Sequence, residues 1–314
     1  MSDPASDFDT AWKEALEWFF EPFLEFFFPV AHADIDWSRE PEFLDKELQE
    51  AVPGAAAGRG TVDKLVRVWT RDGEEAWVLA HVEVQSQRDA GFAARMYAYN
   101  HRLEDRYGRM PVSLAVLGDD GPAWRPTAFL AGRWGCEVGF TFPAAKLLDY
   151  RTREAGLEAD PNPFAVVTLA HLKAIETRGD PTARYDWKMR LVKGLYDRGF
   201  TKERMRRLFH VMSWVMKLPP ILNERLSRDI KAFEKERRMP LLTPMEEMWQ
   251  EEGVAKGLRK AIEKGLARRH GPDGLALMPR INEIMDVSTL DAFLDAFWSA
   301  PDIDALRALL PPQA

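Results

Sequence analysis

Hydrophobic positions change period along the chain, and the changes mark its elements. Phe8, Ala11, Trp12, Ala15, Leu16, Phe19, Phe20 and Phe23 recur at helical spacing, so residues 8–28 are predicted to form a helix with an aromatic face, with Asp9 and Thr10 as candidate caps. Thr61 to Trp69 reads as a strand. Arg71-Asp72-Gly73 supplies turn chemistry, and Ala76 to Gln85 reads as a second strand paired to the first. Within residues 89–107, Phe92, Met96, Tyr99 and Leu103 fall at intervals of four, three and four, one face of an amphipathic helix. Pro111 to Gly118 is a short apolar run, as expected of a buried strand. Helix, hairpin, helix and strand together predict an α/β core with a mixed sheet.

From Pro163 onward the period stays helical. Segments are predicted at Phe164–Thr177, Ala183–Gly199, Thr201–Leu218, Ile221–Arg238 and Pro244–His270, with two short helices within Pro279–Leu310. Pro240 to Pro244 is the best linker. The predicted organisation is a core at 1–160, a basic helical region at 161–240 and a C-terminal helical segment at 241–314. Gly253, Gly257 and Gly265 share one helical face there, which suits either close packing between subunits or a merely flexible helix.

Charge refines this picture. The 314 residues carry 43 Lys plus Arg against 50 Asp plus Glu, a net −7, so no global basic field draws the chain to a polyanion. Locally the balance differs. Fourteen acidic residues face three basic ones between Met1 and Ala57, whereas sixteen basic face seven acidic between Arg184 and Arg238. The second segment suits either a solvated helical surface or a contact to phosphates. A single cysteine, Cys136, excludes an internal disulfide and fits a reducing compartment. The acidic start lacks the basic region of a secretory signal, and Trp18–Val30 is interrupted by Glu21, Pro22 and Glu25, so no membrane association and a cytoplasmic location are expected.

The segment richest in chemistry is Val78–Gln87. Alternation sets Ala80, Val82 and Val84 on one face and His81, Glu83, Gln85 and Gln87 on the other. A solvent-facing polar strand explains that pattern, and so does a site. Asp63 on the paired strand would bring a second acid beside Glu83 if the register allows. Two such carboxylates repel each other and suit a hard cation such as Mg²⁺ or Mn²⁺. The other histidines show no ligand spacing relative to His81, and no Gly-rich phosphate loop followed by Lys-Ser/Thr is present, which counts against an NTPase.

Asp63 lies in Thr-Val-Asp-Lys-Leu, Glu83-Val84-Gln85 follows as Glu-x-Gln, and Phe92, Arg95, Met96, Tyr99 and Asn100 mark the next helix. With Asn162-Pro163-Phe164-Ala165, His171-Leu172-Lys173-Ala174, Glu251-Glu252-Gly253 and Gly257, this set resembles the recombination-promoting nuclease and transposase-like family of the PD-(D/E)xK nuclease superfamily, over most of the chain. The resemblance implies a restriction-endonuclease-like core followed by an all-α C-terminal region. It also implies a metal-dependent DNA endonuclease in a recombination, mobile-element or defence setting, and a homodimer. Asp63, Glu83 and the Val84 carbonyl would hold Mg²⁺ (or Mn²⁺), and Asp63, Glu83 and Gln85 would be catalytic. Gln85 departs from the lysine of the superfamily pattern, and a neutral amide orients a water but supplies no positive charge. An acid from an earlier helix completes such sites. Glu14, Glu17 and Glu47 compete for that role, with Glu47 favoured, and Arg95 is the candidate phosphate contact. The alternative is a weak or inactive nuclease-fold protein that binds DNA or protein.

Overall fold

The aromatic helix expected at residues 8–28 is interrupted because Pro22 has no N–H and its ring would strike the carbonyl one turn earlier. The computed structural model, which describes residues 4–52, 61–83, 89–236, 244–284, 286–300 and 302–310, resolves this stretch into α1 (Pro4–Trp18), α2 (Phe20–Phe27) and α3 (Pro29–Asp34). Phe19 takes the non-helical break, and Pro22 falls in the first turn of α2, where its missing donor is tolerated. Asp9 and Thr10 lie inside α1 and are not its caps.

The hairpin follows as β2 (Thr61–Trp69) and β3 (Glu75–Glu83), after β1 (Glu42–Phe43) and α4 (Asp45–Ala51). The turn carries Gly73 at φ 90. Next come α5 (Phe92–Tyr107) and β4 (Val112–Leu117). The chain then forms a separate hairpin of β5 (Ala128–Arg133) and β6 (Cys136–Thr141), and returns as β7 (Ala144–Lys146). The main sheet has the order β1-β2-β3-β4-β7, antiparallel through β1, β2 and β3 and parallel from β3 to β4 to β7. The fold is therefore mixed α/β.

One face of the sheet is covered by α4 and α5. Leu65, Trp77 and Leu79 meet Leu44, Leu48 and Leu103 there, and Phe92 and Met96 of α5 pack with Ala115 and Leu117 of β4. The opposite face receives α1, through Lys64 of β2 and Glu17. Behind it stand α6 (Glu154–Ala159), α7 (Pro163–Glu176), α8 (Pro181–Asp197), α9 (Lys202–Val215) and α10 (Pro220–Glu236). In α7 every residue from Pro163 to Ala174 is buried, so the helix is an internal strut, apolar nearly all round. Asn162 caps it by accepting from the Phe164 N–H, and Pro163 takes the first helical position, where a missing N–H costs nothing.

Residues 1–239 and 240–314 form two compact units, so the sheet and the helices from α6 to α10 belong to the same one. Much of the basic charge between Arg184 and Arg238 is engaged inside the first unit. Arg184 donates to the Ala174 and Thr177 carbonyls at the end of α7, Arg198 to those of Leu157 and Glu158, and buried Lys188 to that of Met216. Arg190 pairs with Glu158, and Arg207 with Glu203.

The second unit contains α11 (Pro244–Leu275), kinked at Gly271 before Pro272, then α12 (Met278–Glu283), α13 (Val287–Ser299) and α14 (Ile303–Leu309). Three short helices thus stand where two were expected. Ile262, Leu266, Ile281, Leu290, Phe293, Phe297 and Leu306 form its core. A Cβ on Gly265 would come within 2.8 Å of the Phe297 ring, so this glycine serves packing inside the unit. Among the described residues, no helix is long and apolar enough to cross a membrane.

Candidate active site

The β2–β3 register decides what the two acids can do together. Asp63 lies directly opposite His81, and Thr61 opposite Glu83, which makes Asp63 and Glu83 diagonal neighbours on one face of the hairpin. Such neighbours have Cα atoms about 7–8 Å apart, a span that two carboxylates bridge readily through a shared cation. That face does not point into solvent. Both His81 and Glu83 are buried, because α5 lies across it, so the reading of a solvated polar strand surface is corrected. The alternation itself holds, with Ala80 and Val82 buried on the other face.

Each acid meets a cationic or proton-donating neighbour. Asp63 Oδ1 is 2.6 Å from His81 Nδ1, with the Asp63 side chain only 2% exposed and that of His81 fully buried. Among the described residues Asp63 Oδ2 and His81 Nε2 have no hydrogen-bond partner. Arg95, from the first turn of α5, donates through Nη2 to Glu83 Oε2 at 3.0 Å and through Nη1 to Asp89. Although burial opposes its charge, Glu83, Asp89 and Asp63 hold the Arg95 guanidinium above the ordinary arginine range. Tyr99, one turn further along α5, completes the wall. Its ring lies 5.9 Å from that of His81, and burial together with the Asp63 charge raises its hydroxyl pKa.

The remaining early acids are placed elsewhere. Glu17 and Asp45 both bond the ammonium of Lys64, which is wholly buried on the opposite face of β2. Glu14 Oε2 is 2.8 Å from His210 Nε2 on α9. Glu47 stands beside Arg67, four residues along β2 from Asp63, and holds its guanidinium above the usual range together with Glu42 and Glu75, the Glu42 hydrogen bond being the largest cause. Val84 and Gln85 lie outside the described residues.

The donor set fits a hard, water-rich cation rather than a dedicated cage. Among the described residues no group of three His, Cys, Asp or Glu side chains converges as a metal site. Two carboxylates, one with a buried oxygen lacking a partner, are a sparse oxygen set of the kind that leaves Mg²⁺ several of its waters. Sequence reasoning identified both acids and Arg95 but missed the pairing of His81 with Asp63, and the role of Asp89. The strand register and the turn ahead of α5 were needed to see these. No family model, curated protein or solved structure matches the chain.

Proposed function

We propose that this protein is a metal-dependent endonuclease that hydrolyses phosphodiester bonds in DNA, with a restriction-endonuclease-like core in its first unit. The observation that carries the reading is the placement of Asp63 and Glu83 as diagonal neighbours on one buried strand face, with Asp63 Oδ2 lacking a partner among the described residues. The motif resemblance in Glu83-Val84-Gln85 and in α5 supports it. When bound there, Mg²⁺ or Mn²⁺ would polarise a phosphate oxygen and acidify a water. Asp63 and Glu83 would hold the cation through their carboxylate oxygens, and the motif resemblance would make the Val84 carbonyl a third donor. From the same resemblance, Gln85 would orient the attacking water, since a neutral amide can hydrogen-bond it but cannot act as a base. Arg95, which bonds Glu83, would also reach the scissile phosphate, a contact that its planar fork suits. The basic helices contribute general attraction to the backbone, and a homodimer would supply two sites for cutting both strands.

Nicking of supercoiled plasmid with Mg²⁺, with Mn²⁺ and with chelator, beside Asp63→Ala and Glu83→Ala, tests the reading. Metal-dependent nicking is expected from the wild type and from neither variant. Undiminished cleavage by both folded variants would overturn it. One observation favours a second reading, a binding module without catalysis: both acids already have internal partners in His81 and Arg95. Under that reading DNA affinity is indifferent to Mg²⁺ and to Asp63→Ala.

A further inference from the structure

A chain of hydrogen bonds crosses the first unit and ends on the main chain of Glu83. Trp12 Nε1–H in α1 donates to His171 Nδ1 in α7 at 3.2 Å. His171 Nε2–H donates to the Gly118 carbonyl at 2.8 Å, and the Gly118 N–H donates to the Glu83 carbonyl at 2.7 Å. All four residues are buried. This geometry needs a neutral imidazole with its proton on Nε2, since Nδ1 must accept. Burial supplies the neutral form by lowering the His171 pKa to about 4, against the opposing pull of the Gly118 bond and of Asp119.

Gly118 sits where no side chain fits. A Cβ there would lie 2.9 Å from the His171 ring and 3.1 Å from the Glu83 carbonyl oxygen. The close approach therefore has a reason at both ends: the imidazole reaches the backbone of the segment after β4, and that backbone reaches the last described residue of β3. Should the His171 bond be lost, the Gly118 carbonyl is a buried acceptor without its partner and the segment relaxes to find another. Glu83 relaxes with it.

We propose that His171 and Gly118 are positioning residues for the Asp63–Glu83 site: through the Gly118 N–H they hold the Glu83 main chain in the place where its carboxylate shares a cation with Asp63. The proposal rests on the reading of those two acids as cation ligands. Outer partners of ligating groups set metal affinity by roughly 10–100-fold, although they never touch the metal.

The test is a calorimetric Mg²⁺ titration of the full chain, alongside its thermal midpoint, for the wild type, Asp63→Ala, His171→Phe, His171→Gln and Trp12→Phe. A merely structural histidine would lower the midpoint and leave the affinity of the folded protein unchanged. The proposal expects Mg²⁺ binding about tenfold weaker in folded His171→Phe, and recovery in His171→Gln, whose amide donates to Gly118 and accepts from Trp12. Trp12→Phe, which removes the donor that fixes the tautomer, is expected to weaken binding by a smaller factor, and it decides the matter if His171→Phe does not fold. A wild-type isotherm in whichever of these variants is folded would overturn the proposal. An isotherm in the unaltered protein that is insensitive to Asp63→Ala is a different failure, of the metal-site reading itself, and this inference falls with it.

Discussion

Asp63 and His81 face each other across β2 and β3, with Oδ1 and Nδ1 2.6 Å apart and both side chains out of solvent. The bond satisfies one carboxylate oxygen of a buried acid, and the other has no partner among the described residues. His81→Leu removes the donor and leaves the acid behind, so a loss of about 1–3 kcal/mol in unfolding free energy is expected from urea denaturation. Replacing both members, as Asp63→Ala with His81→Leu, removes the unsatisfied group as well and recovers much of that loss. Equal, additive losses in the double variant would show that the two side chains are not coupled.

Arg95 bridges Glu83 and Asp89, tying the start of α5 to the end of β3. Arg95→Met removes the guanidinium that pairs with the Glu83 carboxylate. The expected cost is about 2 kcal/mol, below the roughly 3–5 kcal/mol of a fully buried pair because the Arg95 side chain retains some exposure. A divalent cation should then replace the missing charge, so Mg²⁺ is expected to raise the thermal midpoint of Arg95→Met more than that of the wild type. Equal Mg²⁺ shifts in the two proteins would sink the idea that guanidinium and cation share Glu83.

The sheet's central hairpin, α5 and β4 were legible from sequence because each carries its own pattern: alternation at Ala80, Val82 and Val84, four-three-four spacing from Phe92 to Leu103, and a short apolar run before Gly118. β1 and β7 were not, since strands of two and three residues have no period to show. The β5–β6 hairpin also escaped, because Leu130, Trp134 and Val138 remain exposed and Gly132 and Gly139 dilute the alternation. At the site, the strand pattern located Glu83 and Asp63. Which residue lies opposite Asp63 depends on register, and the burial of that face depends on α5, a long-range contact absent from local patterning. Lys64 illustrates the same limit. A lysine beside Asp63 in a strand reads as surface, yet it is buried because Glu17 and Asp45 reach it from two other helices.

The buried His171 makes stability depend on acidity. Its pKa falls from 6.5 to about 4 on folding, chiefly through burial, so between those values the unfolded chain binds the proton and the folded chain does not. This contribution is fully present above pH 6.5 and is lost progressively as pH falls toward 4, a span worth roughly 3 kcal/mol. His171→Gln, which does not titrate, should flatten the pH dependence of the unfolding free energy in that window. An unchanged slope in the variant would assign the acid sensitivity to other groups.

Phe297 anchors the second unit, fully buried with its ring against Gly265 and its own carbonyl accepting from Arg269 at 2.7 Å. Truncation to alanine removes the ring from the cluster that it forms with Ile262, Leu266, Leu290, Phe293 and Leu306, and leaves a cavity there. A loss of about 3–4 kcal/mol is expected for Phe297→Ala. For a unit of this size that approaches its whole stability, so the helices of residues 240–314 should melt at a lower temperature than residues 1–239. Circular dichroism of the variant would then show two transitions, with the upper one unmoved and the Asp63–His81 hairpin still folded. A single cooperative transition shifted as a whole would mean that the two units unfold together.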